Sequence, residues 1–326
     1  VSAITFTPAK REAIALLIGL AGGTGSGKTY SALRIARGIS GGDPFHVIDT
    51  ENGRALHYAD EFSFLHASLS APFKPSRYAA AILEAEAQGA KVIVVDSTSH
   101  SWTGEGGVLE WHDRLEGGQA SRKMLAWQEP KADHRVFENA LLQTRAHVIL
   151  CFRAAPKVEM RKGADGKIEV VPKEVVPGRG LDGWLPESDP RLPYEMTLSF
   201  LLMADAPGVP KVIKLPASLA GYVPLDAPLT ETVGRELAAW SRGDEIAVAG
   251  EETNELELAR LVAQLNDAGA ITLAQIAVAI AEMRGGDPIA VSSSDPLSDL
   301  TPSETAAMLT RLRRFAATLE GGTPAS

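Results

Sequence analysis

The sequence predicts an α/β fold, a mostly parallel sheet flanked by helices, with a small C-terminal helical unit behind it. Three observations predict this. A glycine-rich loop of fixed pattern separates an apolar run from a helical one at residues 13–40. Apolar runs then alternate with helical patterns to about residue 240, and beyond that the chain turns acidic and helical.

The first run, residues 13–21 (AIALLIGLA), reads as a parallel strand, since a strand covered on both faces needs no polar alternation. It breaks into Gly22, Gly23, Thr24, Gly25, Ser26, Gly27, Lys28 and Thr29, which fit G-x-x-x-x-G-K-[ST]. From Tyr30 a helix follows with Leu33, Ala36 and Ile39 on one face. Glycines let consecutive N–H groups turn onto a phosphate, and the helix N-terminus adds its dipole. Lys28 would then reach the outer phosphates of a nucleotide, and the Thr29 hydroxyl would reach its Mg²⁺.

Ile4 and Phe6, alternating before Pro8, suggest a short edge strand or an arm. Gly41, Gly42, Asp43 and Pro44 break the chain before a second strand at 45–49. Thr50, Glu51, Asn52 and Gly53 leave that strand at its carboxyl end, the edge where an open α/β sheet places ligands. Residues 64–69 suggest a further strand, and 75–88 a helix with Tyr78, Ile82 and Leu83 as its apolar side. The strand at 91–97 ends in Asp96, a carboxylate suited to hold Mg²⁺ through water.

Residues 97–112 are polar and glycine-rich, carry Trp102 and Trp111, and read as a long loop running into a helix. A helix at about 130–143, with Val136, Phe137, Leu141 and Leu142, leads to a strand at 146–152 with Arg153 at its end. Residues 153–179 hold seven basic and four acidic side chains, interrupted by Gly163, Gly166, Pro172, Pro177 and Gly178. They read as a hairpin turning at Asp165 and Gly166, or as a mobile loop. Strands at 194–203 and 211–215 flank a Pro-Gly turn, and a helix at 230–240 closes the unit. The shift near residue 241 divides the chain into 1–243, a linker at 244–253, and 254–326. In the last part, residues 255–266 have helical spacing, and Thr272 with Gln275 and Thr301 with Glu304 form capping boxes, which together suggest three helices.

The net charge of −9 argues at first against nucleic acid, but its distribution removes the argument. From Asp244 onward there are thirteen acidic and five basic residues, so the first 243 residues are nearly neutral and compatible with a basic groove. The longest apolar run falls short of the roughly 20 residues of a membrane span, and no basic stretch followed by an apolar one opens the chain. The expectation is a cytoplasmic protein without membrane contact. A single cysteine, Cys151, excludes an internal disulfide, and the seven histidines show no H-x-x-x-H spacing, which leaves Mg²⁺ as the expected metal.

Residues 47–59 (VIDTENGRALHYA), residues 92–97 (VIVVDS) and the glycine loop together resemble the RecA-like class of P-loop ATPases. Residues 99–110 (SHSWTGEGGVLE) and 153–157 (RAAPK) are similar to phage-encoded RecA-like ATPases, some of whose relatives act as single-strand annealing recombination proteins. The resemblance covers about residues 6–240. Residues 299–304 (DLTPSE) are similar to the tails of other phage recombination proteins. The resemblance implies ATP with Mg²⁺, Glu51 as the glutamate that activates the attacking water, and Tyr58 as an adenine-stacking ring. Ala55 departs from the acidic residue that RecA offers to the base, so the implication does not extend to purine selectivity. Arg153 stands where RecA carries a glutamine that senses the γ-phosphate, and it would act in its own site or a neighbour's. Lys157 shares that role or contacts DNA.

Lys28, Glu51, Asp96 and Arg153 form the expected catalytic set. The expected function is ATP hydrolysis coupled to single-stranded DNA in phage recombination, by a filament or ring in a bacterial host's cytoplasm. Trp102 or Trp111 would stack bases, and Arg161, Lys162, Lys167 and Lys173 would contact phosphates. The competing expectation is a nucleotide-dependent regulatory or scaffold module whose acidic tail docks a single-strand-binding or other recombination protein. A small-molecule kinase would need lid arginines that the sequence does not identify.

Overall fold

The structure, a computed structural model, describes residues 14–162, 167–172, 181, 183–244, 254–284, 297 and 300–319. The chain forms two compact units, Val1–Ile246 and Ala247–Ser326. In the first, strand β1 (Leu17–Gly22) feeds helix α1 (Lys28–Ser40), then come β2 (Phe45–Asp49), a 3₁₀ turn at Arg54–Tyr58, β3 (Phe64–Ser68), α2 (Pro75–Ala87) and β4 (Val92–Asp96). The short α3 (His100–Thr103) and α4 (Val108–Glu116) precede α5 (Gln128–Gln143) and β5 (His147–Pro156). The hairpin strands β6 (Val158–Lys162) and β7 (Ile168–Pro172), β8 (Trp184–Pro186), α6 (Leu192–Glu195), β9 (Leu198–Met203), β10 (Ala206–Lys214) and α7 (Glu231–Arg242) complete the unit.

The main sheet runs β10-β9-β1-β5-β4-β2-β3. It is parallel from β9 to β3, β10 is an antiparallel edge, and β8 pairs antiparallel with the far end of β5. The apolar runs of β1 and β4 follow from burial on both faces. Leu16, Ile18, Leu20, Val92 and Val94 join the α1 and α7 core, while Leu17, Ala21, Ile93 and Val95 join the core under α2 and α5. Register aligns the carboxyl ends, with Gly22 opposite Arg153, Asp96 opposite Cys151 and Asp49 opposite Asp96. One sheet edge therefore receives the glycine loop, Arg153, Asp96 and the turn that holds Glu51.

Helix α7 crosses α1 at two glycines. A Cβ on Gly38 would stand 2.1 Å from the Glu231 carbonyl oxygen, and one on Gly234 would stand 2.2 Å from that of Ile35. At the same crossing, Arg34 (2.8 Å) and Arg37 hold the Glu231 carboxylate. Burial pushes the Glu231 pKa up, but Arg34, its own backbone N–H and Arg37 outweigh that and bring it to about 2. Because the folded value lies below the ordinary 4.5, this stabilisation is full above pH 4.5 and is lost as pH falls toward 2. Glu231→Gln is expected to lower stability at pH 7 by about 1–3 kcal/mol. In urea unfolding the gap from wild type should close as pH falls through that window.

Most expected elements form, with local corrections. On α2, Tyr78 and Ile82 are buried but Leu83 is exposed, and on α5 the same holds for Phe137 and Leu141 against Val136 and Leu142. In each case the neighbour in sequence lies about 100° further round the helix. Tyr194 belongs to α6 rather than to a strand, and the turn before β10 falls at residues 204–205, with Pro207 and Gly208 inside β10. The register shifts between Ala206 and Pro210, and an edge strand tolerates proline at such an irregularity. Within residues 153–179, β6 and β7 pair as a hairpin, while the turn expected at Asp165 and Gly166, Lys173 and residues 174–180 lie outside the described residues. So do the expected N-terminal strand or arm and residues 245–253 of the linker.

The second unit contains α8 (Asn254–Asp267), α9 (Leu273–Arg284) and α10 (Pro302–Leu319). They pack Leu258, Val262, Ile276, Ile280, Met308 and Leu312 into their own core. Both capping boxes form: Gln275 N–H donates to Thr272 Oγ1 (3.3 Å) and Thr272 N–H to Gln275 Oε1 (2.8 Å), and Thr301 and Glu304 repeat the exchange. Among the described residues, no helix is long and apolar enough to cross a membrane.

Candidate nucleotide site

At the carboxyl edge of the sheet lies a cavity of about 670 Å³, lined by residues 22–30, Glu51, Arg54, His57, Tyr58, Asp96, Arg153, Ala154 and Glu187. The loop needs its glycines. A Cβ on Gly22 would meet the Leu202 carbonyl at 2.4 Å and Ser26 Oγ at 2.5 Å, while Gly27 turns the chain at φ 82° into α1. Gly208 N–H donates to the Ser26 carbonyl (3.0 Å), so the irregular edge of β10 backs the loop.

Lys28 Nζ donates to the Gly23 carbonyl at 2.7 Å, and burial lowers its pKa against the pull of neighbouring carboxylates. Thr29 Oγ1 donates to Asp96 Oδ2 at 2.5 Å. Asp96 is almost fully buried, and burial raises its pKa to about 6, aided by the Glu51 charge and opposed by the Thr29 hydrogen bond and Lys28. A buried carboxylate beside a hydroxyl at the end of a phosphate loop is a hard-oxygen donor set, which fits Mg²⁺.

Glu51 is placed by a residue that sequence reasoning passed over. Asp49, the last residue of β2, accepts the Glu51 N–H (2.6 Å) and the Ala55 N–H (3.0 Å), folding the chain at the strand end. The Glu51 carboxylate then meets two arginines. Arg153 Nε (3.0 Å) and Nη2 (2.7 Å) donate to Oε1, and Arg54 Nη1 (2.8 Å) donates to Oε2. Burial would raise the Glu51 pKa, yet the Arg153 hydrogen bonds and charge, with Arg54, hold it below the ordinary carboxylate value.

All the expected nucleotide and catalytic residues, Tyr30 and Tyr58 included, line this one cavity. The Tyr30 and Tyr58 rings lie 5.7 Å apart, and Tyr30 Oη donates to Glu61. Ala55 is buried beneath the turn, and Lys157 does not line the cavity. Arg54 was within reach of sequence reasoning, since it stands three residues after Glu51 in the same turn. Glu187 was not, because only the pairing of β8 with β5 and its N–H bond to the Arg153 carbonyl (2.8 Å) bring it there.

The expected DNA contacts lie elsewhere. Trp102 is half-buried, stacked on Trp127 (6.4 Å) and edge-on to His134 (5.6 Å), while Lys74 Nζ sits 4.4 Å over Trp111. Arg161, Lys162 and Lys167 are exposed on the hairpin, with Arg161 paired to Glu159 at 2.7 Å. Glu105, the next candidate in the sequence for the base after Glu51, is exposed and outside the cavity.

Residues 15–174 match the family model described as the AAA domain, a span from β1 to just beyond β7. No curated protein matches the chain. Together with the parallel sheet and the glycine loop, the match supports ATP binding and hydrolysis by a P-loop domain in general terms.

Proposed function

We propose that this protein is a phage-encoded, RecA-like ATPase that acts on single-stranded DNA in recombination, by annealing or strand pairing. One observation carries the reading. Arg153, bonded to Glu51 in the nucleotide cavity, lies on the strand that runs directly into the β6–β7 hairpin, which presents Arg161, Lys162 and Lys167. Nucleotide state would then reach the DNA-contacting segment along the last four residues of β5 and Lys157. In this reading, Thr29 and Asp96 hold Mg²⁺, Lys28 holds the outer phosphates, and Tyr58 faces the base. Glu51 takes the proton of the attacking water once Arg153 turns from it to the γ-phosphate. Arg153 is nearly half exposed, so it can serve its own site or that of the next subunit in a filament or ring.

Single-stranded DNA is expected to stimulate ATP turnover and to enlarge the particle in solution. Neutralising Arg161, Lys162 and Lys167 together should weaken DNA binding for any sequence and reduce the salt slope by roughly 0.7 per lost contact, with ATP affinity unchanged. Turnover indifferent to DNA, with an unaltered salt slope in the triple variant, would sink the DNA reading. The second reading, a nucleotide-dependent scaffold that docks a recombination partner through residues 254–326, is favoured by the acidic excess of that segment.

A further inference from the structure

We propose a second metal site, separate from the nucleotide cavity, in which His134, Glu138 and Asp189 bind a divalent transition ion of the Zn²⁺ type. His134 and Glu138 stand one turn apart on the same face of α5, and Asp189 comes from the segment after β8. His134 Nε2 lies 3.6 Å from Glu138 Oε1 and 3.9 Å from Asp189 Oδ2, and the three ligand atoms all fall within 4.8 Å of one another.

His134 points to the ligand. It is 1% exposed, and neither ring nitrogen has a hydrogen-bond partner. A buried imidazole without a partner is unfavourable, and both carboxylate contacts are longer than a hydrogen bond. The Asp189 carboxylate is already oriented, because Oδ1 accepts the Arg191 N–H (2.8 Å) and Nε (3.3 Å), leaving Oδ2 toward the histidine. A cation between the three atoms would satisfy the imidazole lone pair and compensate two adjacent carboxylates together.

Distances favour the same ion. Bonds of about 2.0–2.1 Å at tetrahedral angles place ligand atoms roughly 3.3–3.4 Å apart, so the two His134 separations of 3.6 and 3.9 Å need about 0.2–0.6 Å of closure. One imidazole with two carboxylates suits Zn²⁺, with water at the fourth position, and is a poor set for Mg²⁺. None of the three residues lines the nucleotide cavity. Asp189 nevertheless follows Glu187 by two residues, and Glu187 does line it. The ion would thus fasten to α5 the segment that flanks Arg153.

The chain carries its own reporter, since the Trp102 ring lies 5.6 Å from His134. The full-length protein, stripped with chelator and free of nucleotide and Mg²⁺, would be titrated with ZnCl₂ by calorimetry and with CoCl₂ by visible absorption and tryptophan emission. The expected result is one ion per chain at this site, with a Co²⁺ ligand-field band and quenched tryptophan emission. Loss of supporting partners alone weakens metal sites 10–100-fold, so Glu138→Gln, Asp189→Asn and His134→Phe should each weaken binding by at least about 100-fold. Glu138→Gln preserves size at a position with a partly open side chain, so it keeps the test valid should His134→Phe fail to fold. Lys28→Ala and His112→Ala should leave this binding intact, which separates it from the phosphate loop and from the His112, Asp113 and Glu116 group. The assignment is overturned if the wild type binds neither ion, or if Glu138→Gln binds both with wild-type affinity.

Discussion

Lys28→Ala is expected to abolish nucleotide binding at ordinary concentrations while leaving the fold in place. The side chain belongs to neither core of the first unit, and among the described residues its ammonium bonds only within the loop, to the Gly23 carbonyl and, at 3.4 Å, to Ser26 Oγ. Its removal takes away the one cation built into the phosphate loop. A charge-assisted hydrogen bond contributes about 1.5–3 kcal/mol, so affinity should fall by roughly 10²-fold or more once the lost long-range attraction is added. Calorimetric titration with ATP and Mg²⁺ checks this, with circular dichroism as the control for folding. Wild-type affinity in the variant would remove residues 22–30 from the nucleotide site.

Glu51→Gln should retain ATP binding and lower turnover on the order of 10²- to 10⁴-fold, the scale of a lost general base. The amide keeps the size of the side chain but accepts no proton, and it loses the charge that holds Arg153 and Arg54. A pH profile separates catalysis from simple positioning. In the resting site the two arginines hold the Glu51 pKa below the ordinary value, so the base stays ionised as pH falls until it passes below the usual carboxylate range. Arg153→Ala removes the largest opposing influence in the resting site and lets burial prevail, so the acidic limb of kcat/KM, which reports the free enzyme, should move to higher pH. A Glu51→Gln enzyme with unchanged turnover would place the base elsewhere. Glu105 is poorly placed to replace it, being exposed and outside the cavity.

The residues that bring this site together were mostly legible in advance because its parts are local. The glycine loop is eight consecutive residues, and its function follows from backbone geometry that only glycine allows. Asp96 and Glu51 each close or follow an apolar strand, and in a parallel sheet such positions fall on one edge. Arg153 was legible for the same reason, as the first polar residue after a buried run. What it touches was not. The expectation gave it to a phosphate, and the structure sets it on Glu51 with Arg54 on the other oxygen, an arrangement that depends on β2 and β5 standing on either side of β4.

The sequence by itself determined the alternation of strands and helices, the phosphate loop and the capped helices of the second unit. Each is written in contiguous residues whose periodicity and backbone preference need no distant partner. Only the tertiary structure decided which neighbours share a face or a site. Leu83 and Val136 differ from the buried Ile82 and Phe137 by one step of 100°, and the packing of α2 on α5 selects between them. Gly38 and Gly234 meet across nearly two hundred residues because two backbones must approach there without a Cβ. His134, Glu138 and Asp189 converge for a related reason. The helix supplies two of them at i and i+4, but the third arrives only when β8 pairs with β5 and returns the chain to α5, a long-range contact that no local pattern encodes.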